Sequence, residues 1–349
     1  MKRNLLLGTL CLLLSVPIFG QTLRKAETSL VYYMPYTVLQ FDIEYEEITE
    51  ERGELYQYSE RFLGTTDIVK ENRTHYQLTR VNLVPIAKAD TSRIYTVPFN
   101  EKYPYCSLLS INSKGILVGV NLHNQEKGKT CKTSSDRKEE QTIRVPRPKP
   151  LLEEQLIANS TAKMAENTAK QIYRIRESRL SILSGEVEHL PGDGQAMQIV
   201  LAELNAQEEA LTELFTGRRI VNKRHKTISF VPTHSIDNNV LFRFSLFNGV
   251  VANDDMSGKP YYISIVKHQK EYAPADKGDE KLRAYQSPIF YNIPGQAAIL
   301  LTDGENVLID TSVDVAQWGI AISLPYSLFT EDTEIRFNTN TGAIKTIRQ

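Results

Sequence analysis

The chain has 349 residues, with 41 lysines and arginines against 42 aspartates and glutamates, and a formal net charge of −1. That length can bury substantial cores and suggests about two domains. A charge so near balance gives no reason to expect nucleic acid or a strongly anionic membrane as a partner.

The N-terminus carries Lys2 and Arg3, then an apolar run from Leu5 to Leu14, then Ser15-Val16-Pro17-Ile18-Phe19-Gly20-Gln21. A positive start, a short apolar stretch and a helix-breaking proline before a small residue read as a secretory signal over residues 1–20, with cleavage expected after Gly20. Cys11 follows Leu10, where lipoprotein processing wants a small residue, so it belongs to the discarded peptide. Cleavage removes Lys2 and Arg3 and leaves 39 basic residues against 42 acidic ones, a charge of −3. No later stretch offers about 18 consecutive apolar residues, so no transmembrane span is expected in the mature chain. Cys106 and Cys131 survive cleavage and are a candidate disulfide in an oxidising compartment, with two unpaired thiols as the alternative.

Residues 21–122 read as an N-terminal β-rich domain. Leu39, Phe41, Ile43 and Tyr45 alternate with Gln40, Asp42, Glu44 and Glu46, the pattern of a strand with one wet face. From His75 to Val84 the apolar phase slips between Leu78 and Val81, which predicts a bulge near Thr79 or Arg80. Between these strands, Leu55, Tyr58 and Phe62 have helical spacing ahead of Gly64, predicting a short capped helix. Residues 123–150 turn polar and basic and finish in VPRPKP, an extended linker.

Residues 151–217 change character. Ala158, Ala162, Ala165, Ala169, Ile172, Leu180 and Leu183 recur at spacings near three and four, with Ile175 beside them, and no Gly or Pro interrupts residues 151–184. A second helix is predicted over 194–216, with Met197, Val200, Leu201, Leu204, Leu211, Leu214 and Phe215 on one face. The two make a long antiparallel helical hairpin whose first arm overhangs the second.

Residues 218–349 read as a C-terminal β-rich domain. Short strands around Val240–Leu246, Tyr261–Val266, Ala297–Leu301, Val307–Ile309, Ile320–Leu324 and Ile335–Phe337 are punctuated by Asn248-Gly249, Ser257-Gly258, Pro294-Gly295, Asp303-Gly304 and Thr341-Gly342. The expected fold is therefore α+β: two antiparallel β-rich parts, sandwich or barrel-like, joined by the helical hairpin.

Chemistry is sparse. Glu186, Glu188, His189 and Asp193 are weak metal-ligand candidates, since histidine and carboxylates suit divalent ions, but their spacing matches no known cage. A turn explains them better: Gly185 stops one helix, Pro191 prevents continuation and Asp193 caps the next. Arg174, Arg176 and Arg179 could grip an anion, but folding about residue 189 or 190 would set Arg176 opposite Glu203. Asp254 and Asp255 lack the alternating oxygens of a calcium loop. His75, His123, His225, His234 and His268 are scattered, and there is no nucleophile elbow, GxGxxG or P-loop. No catalytic residue and no cofactor is assigned. Tyr32, Tyr33, Tyr36, Tyr56, Tyr58, Tyr103 and Tyr105 either present rings to a glycan or fill a half-buried sheet.

VYYMP at 31–35, YSERFLG at 58–64, IYRIRESRLSILSGE at 172–186, LPGDGQAM at 190–197, EEALTELFTG at 208–217, VLFRFS at 240–245, YNIPGQA at 291–297 and AQWGIAISLP at 316–325 occur in this order. Over nearly the whole mature chain they resemble a family of exported proteins of unknown function from Gram-negative anaerobic bacteria. The resemblance implies export and the overall layout, and carries no activity or ligand onto any residue. The reading that follows is an exported periplasmic or cell-surface module, non-catalytic, acting through the helical hairpin or the β surfaces on a protein partner or on itself. A glycan-binding module using exposed tyrosines and an envelope hydrolase or metal-dependent enzyme with a site between the β parts are the alternatives.

Overall fold

The computed structural model describes residues 29–98, 109–122, 160–186, 193–268, 286–325, 328 and 333–348. Cys106, Cys131, Glu188, His189, the signal segment 1–20 and the linker 123–150 lie outside the described residues.

The long strand β1 (Ser29–Glu51) organises the chain. At roughly 3.3 Å per residue its 23 residues run for about 75 Å. It pairs with β2 (Arg73–Pro98) on one side and, from Leu39 to Glu51, with β5 (Arg218–Phe230) on the other. These three form an antiparallel sheet in the order β2-β1-β5. A five-stranded sheet, β10-β9-β8-β6-β7, is built from β6 (Ile236–Ser245), β7 (Gly249–Val251), β8 (Lys259–His268), β9 (Gln286–Thr302) and β10 (Val307–Pro325). A four-stranded sheet, β12-β11-β4-β3, combines β3 (Leu109–Ile111) and β4 (Leu117–Val120) with β11 (Glu334–Phe337) and β12 (Ile344–Arg348).

Alternation decides where β1 packs. Leu39, Phe41 and Ile43 are buried against Phe242, Ile263, Ile265, Ile299 and Leu301, so the three-stranded and five-stranded sheets close on one core. Nearer its start, Tyr32 and Met34 are buried with Leu117, Val120, Ile289, Leu324, Ile335 and Phe337 in a second core. β1 bends between the two. At Pro35 the register jumps, and four residues of β2, Asp90 to Arg93, bulge out opposite Met34. Arg93 holds the bulge, bonding Asp90 Oδ2 at 2.8 Å and the Pro35 carbonyl at 2.7 Å. β9 and β10 bend in the same manner: Gly295 pairs with Val315 and Ile293 with Ile320, leaving Ala316 to Gly319 looped out. The strands approach so closely there that a Cβ on Gly319 would lie 2.1 Å from the Ile293 carbonyl oxygen.

A polar knot ties the two bends. Gln317 accepts the Thr37 N–H at 2.8 Å and returns its amide to the Thr37 carbonyl at 3.0 Å, while the Ala316 N–H donates to Thr37 Oγ1 at 2.9 Å. Buried Asn292 donates to the carbonyls of Ala316 at 2.9 Å and Thr341 at 2.7 Å. Tyr32 adds a further tie, its hydroxyl donating to Phe290 O at 3.0 Å and accepting from Phe290 N at 2.7 Å.

The helices form a third core at the far end of β1. Residues 56–63 give a 3-10 turn and α1 (Ser59–Leu63), ended by Gly64 in the left-handed region at φ 66°, as its spacing predicts. α2 (Thr161–Ser184) is capped by Ser160 and stopped by Gly185; α3 (Gly194–Thr216) begins at Asp193, whose carboxylate accepts the Ala196 N–H at 2.5 Å. Ala165, Ala169, Ile172, Ile175, Leu211, Leu214 and Phe215 bury one another over Leu55.

The expected fold class needs correction. Among the described residues the chain is mostly β, its strands lie in three open sheets with no closed barrel, and no long helical hairpin bridges two β parts. β5, read with the C-terminal half, completes the sheet of β1 and β2; β3 and β4 share a sheet with β11 and β12. The physical reason is that periodicity names single elements, whereas pairing is decided by which distant rungs match. The helices instead pack beside the end of β1, where the Leu55 and Val69 N–H groups bond the carbonyls of Leu214 and Thr216. Leu180 and Leu183, placed by their spacing on the buried stripe, are about two-thirds exposed.

Candidate functional site

Among the described residues, those singled out by chemistry alone do not converge. Glu186 is exposed, its N–H closing the end of α2 on Ser181 O at 3.0 Å, and Asp193 is exposed and engaged in capping. Among the described residues, no three of His, Cys, Asp and Glu are grouped so as to hold a metal. Asp255 accepts the Ser257 N–H at 2.9 Å in a turn, and the Ser257 side chain, assisted by that N–H, lowers its pKa. His75, His225, His234 and His268 sit on separate elements. Arg176 and Arg179 do pair across the helices, but with Glu208 rather than Glu203, at 2.7 and 2.5 Å. The two helices are thus in a register about five residues away from the expected one. Tyr32 is buried, which raises its hydroxyl pKa, and Tyr33, Tyr36, Tyr56 and Tyr58 are half-buried.

What the structure does assemble is a charge ladder on the three-stranded sheet. β1 reads FDIEYEEITEE from Phe41 to Glu51, and β5 reads RRIVNKRHK from Arg218 to Lys226. Antiparallel register turns these blocks into rungs. On the face away from the main core, Glu50 stands between Arg73 and Arg219, Glu46 between Gln77 and Lys223, Glu44 between Arg80 and His225, and Asp42 between Asn82 and Thr227. The central strand is acidic and both neighbours are basic. Opposite charges directly across a rung stabilise a sheet.

Geometry shows how completely some carboxylates are engaged. Glu50 is buried, bonded through one oxygen to Arg73 and through the other to Arg219 at 3.0 Å. The Arg73 bond is the main reason its pKa lies below the ordinary carboxylate value, with Arg219 assisting against burial. Arg219 also reaches Asp67 at 3.5 Å. On the other face Glu47 takes Arg224 at 2.9 and 3.1 Å on one oxygen and the Tyr76 hydroxyl at 3.0 Å on the other. Burial alone would raise the Glu47 pKa, but those two partners bring it below the ordinary value. Carboxylates held this way stay ionised and paired, and so are poor general bases.

The ladder escaped residue-by-residue reasoning because no single member is unusual. Its signal was available as two complementary blocks, acidic on one predicted strand and basic on another, but only the register puts them side by side.

A family described as Domain of unknown function (DUF4831) matches residues 28–345. No curated protein and no solved structure matches the chain.

Proposed function

The chain belongs to the family of that domain of unknown function, and from this premise we propose that it is an exported, non-catalytic interaction module of the cell envelope that meets its partner through the outer face and edge of the three-stranded sheet. The ladder of basic, acidic and basic strands carries this reading, because among the described residues it leaves a basic strand at the border with no acidic strand beyond it. Export rests on the signal-like residues 1–20. Among the described residues no helix is long and apolar enough to cross a membrane.

Two measurements test it. Fractionation of the host with N-terminal sequencing places the protein in the envelope with a chain starting at Gln21; a cytoplasmic, uncleaved chain contradicts export. A photo-crosslinking residue at exposed Val221 on β5 forms a discrete adduct in living cells, while one at exposed Val307 on the far sheet does not. Equal labelling at both positions removes the reason for assigning the interaction to this sheet.

A further inference from the structure

Among the described residues β5 is an edge strand of 13 residues, paired along one side only. Among the described residues no backbone hydrogen bond reaches it from outside its sheet. The opposite edge differs: the Tyr76 N–H of β2 is taken by the Leu246 carbonyl at 2.8 Å. An open row of N–H and C=O groups is a template for another strand.

Side chains decide which strand fits. β5 carries Arg218, Arg219, Lys223, Arg224, His225 and Lys226 and no carboxylate. Its one strand partner among the described residues is the glutamate-rich half of β1, so the molecule itself shows what complements this strand. A second copy adding edge to edge would set two cationic strands against each other, which is unfavourable. Alternation across the sheet is basic, acidic, basic, and the next strand that continues it is acidic.

We propose that the outer edge of β5 accepts an extended acidic segment of a partner protein by strand addition. This rests on the interaction reading above and adds the chemistry of the partner. Backbone bonds to β5 supply the pairing; carboxylates on alternate residues meet Lys223 and its neighbours on the outer face and so select the segment.

The test uses the mature protein and an end-blocked, fluorescent octapeptide of alternating Glu and Val, followed by anisotropy. The Glu-Val peptide binds, its affinity falls as salt is added, and the matching Lys-Val peptide does not bind. Two further Glu-Val peptides carry N-methyl groups on alternate residues in opposite phases. Strand addition predicts that one phase, with its methyls against β5, loses at least about tenfold in affinity while the other binds. A protein with Lys223→Ala and His225→Ala binds the parent peptide a few-fold more weakly. Absence of Glu-Val binding, equal binding of the Lys-Val peptide, or equal binding of the two methylated phases overturns the proposal. Should the Val221 crosslink in cells persist in any of those cases, the interaction module stands and strand addition alone falls.

Discussion

The polar knot at the strand bends and the charge ladder on the three-stranded sheet both rely on polar side chains, neutral and buried in the first, charged and reaching water in the second. In the knot, Asn292 and Thr37 are buried, and each bond satisfies a main-chain group that has no water to turn to. In the ladder, Arg73 and Arg219 keep more than half of their side chains in water even while they grip Glu50. Loss of a knot residue therefore leaves dry, unpaired carbonyls, whereas loss of a ladder residue leaves charges that rehydrate. The first region ties the sheets to one another; the second lies where its cations reach water.

Substitutions break this comparison most clearly at the knot. Asn292→Leu strands the carbonyls of Ala316 and Thr341 and should cost about 2–4 kcal/mol, read as a lower urea midpoint with an unchanged slope. Tyr32→Phe removes both bonds to Phe290 and should cost about 1–3 kcal/mol by the same measure. Glu50→Gln weakens two arginine contacts that water screens, for a loss of about 1 kcal/mol. Raising salt to 1 M should shrink that loss and leave the Asn292→Leu loss intact. If both respond alike to salt, the distinction between the regions fails.

Acid sharpens the same contrast. The Glu50 and Glu47 pKa values lie below the ordinary 4.5, so their contribution to stability is fully present above that value and is lost as pH falls through the lower folded-state pKa. The wild-type protein should therefore weaken below about pH 4.5, and Glu50→Gln should flatten that limb. An acid limb unchanged in the variant would mean that other carboxylates govern it. The smallest effect is at Lys223→Ala, exposed on β5, where stability should move by less than about 0.5 kcal/mol while binding of an acidic strand suffers.

Local features were legible in the sequence where a single short-range rule decides them. The phase slip after Leu78 marks a real bulge, since Glu44 pairs with Arg80 and Tyr45 with Leu78, leaving Thr79 over. Gly64, Gly185 and Asp193 end or begin helices because left-handed backbone and side-chain capping are properties of one or two residues. Pro294-Gly295 misled for the same reason. Its composition signals a departure from a straight strand, and the structure realises that departure as a bend inside β9 rather than a turn between strands. Nothing local reveals that β5 belongs with β1, because the information is shared between segments some 170 residues apart and appears only when acidic and basic rungs are aligned. The candidate site was hidden by the same fact. Arg219 and Lys223 read as ordinary surface cations until β1 supplies the carboxylates beside them.

Residue-resolved hydrogen exchange across β5 in the mature protein shows whether its outer edge is open. An open edge predicts alternation from Arg218 to Phe230: amides bonded to β1 exchange slowly, while their neighbours, pointing away from the sheet, exchange close to the rate of exposed backbone. Uniform protection along all of β5 would show that the edge is already covered, and would contradict the account.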